Sequence, residues 1–237
     1  MISPRHRVVL VSGANRGIGR AVAEKLLAEG YRVSLGVRDA ASVTDLVNGP
    51  AAERVHVGIY IAETRATHEA WVASAFARWG RIDGLVNNAG ISSRGTLRDI
   101  AEAELDRVWA VNCKAPLSMI QLGLPHLEAS GQGRIVNIAS LSGKRVKNDH
   151  VAYAMSKFAL MALTHAARRI SWDKGVRATA LCPPFVRTDM TADVTNVARA
   201  DMADPRDIAE LAAMLIALPN TASIAELLVN MRLEDMV

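Results

Sequence analysis

The sequence predicts an α/β fold: a doubly wound parallel sheet with helices on both faces. Two observations carry that expectation. Short β-branched-rich apolar runs alternate with stretches of helical spacing along nearly the whole chain. The first of these runs also passes through a glycine-rich turn directly into a helix, the unit from which such sheets are built. With 237 residues, half of them apolar, the chain can bury a sizeable core, and a single domain over 1–237 is expected.

Val8 to Val11 reads as the first strand. Ser12-Gly13-Ala14-Asn15-Arg16-Gly17-Ile18-Gly19 follows, and then the helical pattern Ala21, Val22, Leu26, Leu27 ends at Gly30. Glycines in that turn permit positive φ and let backbone N–H groups approach a phosphate, while the helix N-terminus adds its positive dipole end. A dinucleotide pyrophosphate fits, although the spacing is G-x-x-x-G-x-G, not the commoner G-x-G-x-x-G. Tyr31 to Val37 is the second strand, and its end is where such folds meet the adenosine ribose. Arg38 stands there. A guanidinium favours a ribose 2′-phosphate through charge-assisted contacts, and Arg16 in the glycine turn adds a second positive charge. Asp39 beside Arg38 either neutralises it or binds the ribose itself. The cofactor expectation is therefore NADP, with NAD as second choice.

Further strands are expected at Val55 to Ile61, Ile82 to Val86, Arg134 to Ala139, Ala178 to Cys182 and Ile224 to Val229, with a helix from Thr67 to Trp79. Asn88, Ala89 and Gly90, after Asn87, close the fourth strand at the edge where ligands sit. A long helical stretch from Ala101 to Glu128 contains Pro116 and Pro125, so a kink or break is expected near one of them. Asn112 lies in that stretch among Val108, Val111 and Leu117, which look like core, so its amide is either a satisfied core group or a functional one. Asp204-Pro205 looks like an N-cap followed by proline at the first helical position, opening a helix to Leu218. Tyr153-Ala154-Met155-Ser156-Lys157 places a phenol and an ammonium at i and i+4 on one helix face. A cation held close lowers a phenol's pKa from about 10, which makes the pair an acid/base device.

Composition excludes several function classes. The net charge of +4 is spread along the chain and aromatics make up 4%, so nucleic acid is not an expected partner. Cys113 and Cys182 form no CxxC or Cys/His cluster, which suggests neither a disulfide framework nor a metal site and fits a reducing cytoplasm. The apolar run Val8 to Val11 is far shorter than a signal peptide core or a membrane span.

Ser12 to Gly19, Asn87 to Gly90, Ser140 and Tyr153 to Lys157 together resemble the short-chain dehydrogenase/reductase family in order and spacing over nearly the whole chain. The resemblance implies a Rossmann-like domain, a nicotinamide dinucleotide and a tetrad of Asn112, Ser140, Tyr153 and Lys157. It implies that Tyr153 exchanges a proton with the oxygen of a carbonyl or secondary alcohol, that Ser140 fixes that oxygen, and that Lys157 lowers the Tyr153 pKa and holds the nicotinamide ribose. It implies that Asn112 anchors a water joining Lys157 to solvent, and that Val186 and Thr188 meet the nicotinamide carboxamide. A homodimer or homotetramer is implied as well.

Two departures stand out. Pro183-Pro184 replaces the family's Pro-Gly, and Tyr60 stands where many relatives carry an Asp toward adenine, so the base is expected to rest on apolar and backbone groups. Ser92, Ser93, Arg94, Lys144, Arg145, Lys147, His150 and Arg187 flank the expected site. If several point inward the substrate is an anionic carbonyl compound or hydroxy acid; otherwise they are solvated loop charge. The short polar segment from Thr188 to Ala203 argues against a bulky pocket. The competing class is a non-catalytic dinucleotide-binding regulator, which need not keep all four tetrad groups.

Overall fold

The computed structural model describes residues 1–233. Seven strands form one parallel sheet in the order β3-β2-β1-β4-β5-β6-β7. They are β1 Val8–Ser12, β2 Arg32–Val37, β3 Val55–Ile59, β4 Gly84–Asn87, β5 Arg134–Ile138, β6 Arg177–Cys182 and β7 Glu226–Leu228. The helices are α1 Gly17–Glu29, α2 Thr44–Val47, α3 Arg65–Trp79, α4 Glu102–Trp109, α5 Ala115–Ala129, α6 Val151–Ile170 and α7 Pro205–Ala217. No helix among the described residues is long and apolar enough to cross a membrane.

β1 shows why the sheet is covered on both faces. Its side chains alternate, and every one is buried. Val9 and Val11 pack with Val22 and Leu26 of α1 and with Ile208 and Ile216 of α7. Val8 and Leu10 pack with Trp71 of α3 and with Met119 and Leu127 of α5. The strand order reverses between β1 and β4, and the crevice opens above the carboxyl ends there.

The long helical stretch is interrupted, as expected, close to Pro116. Residues Ala110–Lys114 form a π turn between α4 and α5, and Pro116 sits in the first turn of α5. Pro125 is carried inside α5. Val108 and Val111 are buried, but Leu117 is 42% exposed. Leu117 lies about two and a half turns beyond Val108, on the opposite side of a 3.6-residue repeat, so its exposure follows from the helical period and it is not core as expected. The α7 opening matches its reading, with Asp204 accepting from the Arg206 N–H and Pro205 at the first position.

Gly36 in β2 and Gly58 in β3 are adjacent in register, and a Cβ on either would overlap the Trp71 indole. Together they form a slot for that ring, whose Nε1 donates to Ser34 Oγ at 2.7 Å. Gly58→Ala is expected to cost about 1–3 kcal/mol by overpacking. Urea unfolding measures this, and an unchanged midpoint would show that the slot does not constrain the sheet.

Candidate active site

The crevice is built first at its floor. Ser12 ends β1, and its hydroxyl accepts from the N–H groups of Asn88 (3.0 Å) and Ala89 (3.1 Å) at the end of β4. The Asn88 side chain donates back to Ser12 O at 2.9 Å and Gly13 O at 3.2 Å. Gly13 and Gly17 have φ of +67° and +55°, in the region that favours glycine. A Cβ on Gly19 would overlap Gly13 O and Asn88 Nδ2. α1 begins without a side-chain cap and without an acidic residue in its first turn, so its leading N–H groups and dipole suit a pyrophosphate. Asn15 and Ile18 lie half-buried in the turn, and Arg16, exposed, pairs with Asp189 at 3.1 Å. Thr188 stands opposite the turn, since a Cβ on Gly17 would meet Thr188 Cγ2 at 3.2 Å. Val186 is buried and bridges to Ala203.

Arg38 is exposed at the end of β2 and makes no hydrogen bond or ion pair among the described residues. Asp39 does not neutralise it. Its carboxylate caps the short helical turn after β2, accepting from Ala41 N at 2.9 Å.

On the other side of the crevice, Ser140 follows β5 and Tyr153 and Lys157 lie one turn apart on α6. The Ser140 hydroxyl lies beside the Tyr153 phenol and accepts from Ser142 N at 3.0 Å. Lys157 is 5% exposed, its Nζ donating to Ile138 O at 2.8 Å and lying 5.5 Å from the Tyr153 ring centroid. Asn112, in the π turn, is 1% exposed. Its Nδ2 donates to Ile91 O and Ser156 Oγ, both at 2.9 Å, and its Oδ1 accepts from Ile91 N at 2.9 Å. Both N–H donors of the side chain are thus engaged within the protein. Gly90 borders the same group: a Cβ there would meet Asn112 Oδ1 at 3.3 Å and Lys157 Nζ at 3.8 Å. The glycine turn, the β4 end and the tetrad therefore face one crevice.

The electrostatics depart from expectation in one respect. Burial pushes the Tyr153 phenol above its ordinary value, with the Ser140 hydroxyl opposing the shift. Burial also pulls Lys157 down to about 8. Burial and the Ser140 hydroxyl, with no contribution from Lys157, set the direction of the Tyr153 shift.

Several flanking charges are spent elsewhere. Lys144 pairs with Glu226 at 2.7 Å, Arg187 with Asp204 at 2.7 Å, and Arg94 reaches Asp193 at 3.6 Å in the open. Ser93 Oγ and His150 Nδ1, by contrast, are buried without a hydrogen-bond partner among the described residues. Sequence reasoning missed Ser12 as the clasp between β1 and β4. It also missed a buried relay from Asn87 Nδ2 to Asn137 Oδ1 (2.8 Å) and from Asn137 Nδ2 to Thr164 Oγ1 (2.8 Å), which ties the sheet to α6. Polar residues inside otherwise apolar strands were the available signal.

Comparison with known proteins settles the lineage. The family model described as short chain dehydrogenase matches residues 7–198. This chain belongs to the short-chain dehydrogenase/reductase family. It is 47% identical over 218 residues to an agropine synthesis reductase of Rhizobium rhizogenes, covering 91% of this chain and 50% of that one. The chain thus spans about half the length of that relative. It is 32% identical to a levodione reductase of Leifsonia aquatica, covering 86% of this chain and 78% of the other. The crystal structure of a 3-ketoacyl-(acyl-carrier-protein) reductase from Brucella melitensis, complexed with NADH, superimposes with a TM-score of 0.88 at 26% identity, covering 96% and 98% of the two chains. Family members are NAD(P)-dependent oxidoreductases, and the cradle at Gly13 to Gly19 fits such a dinucleotide.

The Lys157 environment has a measurable consequence. Its pKa falls from 10.5 to about 8 on folding, so between those values the unfolded chain binds more protons and stability rises with pH. Below about pH 8 the buried group opposes folding in full. Lys157→Met is therefore expected to stabilise the protein at pH 7 by on the order of 1–3 kcal/mol, with the gain gone near pH 10.5. Unfolding curves at both pH values measure it, and no gain at pH 7 would refute the assignment.

Proposed function

We propose that this chain is a single dinucleotide-binding and catalytic domain that transfers a hydride between NADP(H) and a small carbonyl compound or secondary alcohol. The observation that carries the reading is the meeting of Ser140, Tyr153 and Lys157 at the mouth of a crevice whose floor suits a pyrophosphate. The reductase names of its relatives, levodione reductase among them, support a carbonyl substrate.

The bound dinucleotide supplies or accepts the hydride at the carbonyl carbon. Tyr153 is the general acid in reduction: its phenol, held protonated by burial, gives its proton to the carbonyl oxygen, and in oxidation it takes the proton back. Ser140 orients that oxygen beside the phenol. Lys157, fixed by Ile138 O, presents its remaining N–H donors to the ribose side of the crevice. Asn112 acts as a positioning group, since its amide holds Ile91 and Ser156 together. Gly13, Asn15, Arg16, Gly17, Ile18 and Gly19 would hold the pyrophosphate, Asn88, Ala89 and Gly90 the middle of the dinucleotide, and Val186 and Thr188 its nicotinamide end. Lys144, Arg187 and Arg94 have carboxylate partners, which weakens the case for an anionic substrate.

NADP is favoured by Arg38 at the end of β2, which has no hydrogen-bond or ion-pair partner among the described residues; Arg16, in the glycine turn, is already paired with Asp189. An NAD(H) preference is the second reading, supported by the NADH complex of the Brucella reductase. A cytoplasmic homodimer or homotetramer completes the proposal, and the free, buried Cys113 and Cys182 suit a reducing compartment.

Tyr153→Phe is expected to cut turnover by at least about 10²-fold while dinucleotide affinity survives. Full activity in that variant would sink the mechanism, and a broad ketone panel with no turnover by the native chain would favour a regulator. Arg38→Asp is expected to shift the NADPH/NADH affinity ratio toward NADH by roughly 10-fold or more. Fluorescence titration with both dinucleotides reads it, and an unchanged ratio would remove Arg38 from cofactor choice.

A further inference from the structure

The order β3-β2-β1 places the adenosine half of the crevice above three carboxyl ends: pyrophosphate at the turn after β1, ribose at the end of β2, and the base beyond it toward the end of β3. The groups at that last position are turned inward. Tyr60 is 3% exposed. Its ring stacks on His68 at 4.8 Å and meets Trp71 edge-on at 5.3 Å. The next residue offers no main-chain group either. Ile61 N–H donates to Thr67 Oγ1 at 3.0 Å, and Ile61 O accepts from Thr64 N at 2.8 Å and Thr67 Oγ1 at 3.2 Å. What remains outward is apolar: Ile59 and Ile61, on one face of the strand end, are 45% and 36% exposed. Arg38, which follows Val37, the register partner of Ile59, is exposed and has no hydrogen-bond or ion-pair partner among the described residues.

We propose that the purine of the dinucleotide is held by its faces, between the Arg38 guanidinium and the apolar Ile59/Ile61 shelf, and that its hydrogen-bonding edge is not read. A dinucleotide carrying hypoxanthine in place of adenine is then an equally good ligand. Hypoxanthine exchanges the donor at position 6 for an acceptor and the acceptor at position 1 for a donor. A protein that bonded both atoms would reject it strongly, because each reversed pair leaves a buried group unsatisfied. Stacking and apolar contact are indifferent to the exchange, since every purine has the same kind of π face. Tyr60 accounts for the geometry: its ring, packed between His68 and Trp71, fills the space beneath the strand end.

This inference rests on the reading of the protein as a dinucleotide-binding enzyme. Its test is direct binding, with no turnover required. Reduced-nicotinamide fluorescence would be titrated with NADPH, NADH and the hypoxanthine counterpart of each. The expected result is an affinity ratio between adenine and hypoxanthine forms within about threefold for the phosphorylation state that binds better, as for a base gripped by its faces alone. A preference for adenine of roughly 10-fold or more would overturn the proposal, because it requires a hydrogen-bonded edge. Tyr60→Phe, which keeps the ring and its packing, is expected to leave the ratio unchanged; a ratio that moves would show that the hydroxyl does read the base. If none of the four dinucleotides binds, the cofactor reading itself fails, an outcome distinct from selective loss of the hypoxanthine forms.

Discussion

The site hangs on a buried amide. Asn112 sits in a π turn, 1% exposed, and its side chain makes three hydrogen bonds that join the chain leaving β4, at Ile91, to α6, at Ser156. An amide so buried would cost several kcal/mol if left unpaired. Ile91 offers a donor and an acceptor to the two ends of one amide group, which fixes both its position and its flip. Ser156 in turn donates to Tyr153 O at 2.7 Å. The path from the end of the fourth strand to the backbone of the tyrosine is thus a chain of satisfied polar groups, and these tolerate little displacement.

The sheet separates two kinds of work at its two ends. At the amino ends, Arg134 is 2% exposed and spends its guanidinium on Leu218 O, Gly133 O, Gly175 O and the Asn220 side chain. Arg177 does likewise, with Trp172 stacked on it at 3.5 Å. These cations tie loops together through carbonyls and are closed to solvent. At the carboxyl ends, Lys157 is enclosed and Tyr153 half-buried; burial there favours the protonated phenol and opposes the lysine's charge. The apolar packing of α1, α3, α5 and α7 on the two faces supplies the stability that such a site opposes.

Much of this was legible in the chain. Runs such as Val8 to Val11 and Ala178 to Cys182 announced strands buried on both faces, because a parallel sheet covered by helices needs continuous apolar sequence. Gly13, Gly17 and Gly19 announced their turn, because only glycine accepts that backbone and that proximity. Tyr153 and Lys157 announced a shared face by spacing alone. Asp39 and Lys144 were less legible: one caps the turn that follows it, and the other pairs with Glu226, distant in sequence.

The sequence by itself determined the element order, the turn chemistry and which groups could exchange a proton, since these follow from local periodicity and residue type. Tertiary structure alone decided that Tyr60 faces inward, that Asn112 spends its amide on Ile91, and that burial lowers the Lys157 pKa. Direction, partnership and desolvation are properties of the packed surroundings, and a side chain's surroundings are assembled from strands and helices that lie far apart along the chain.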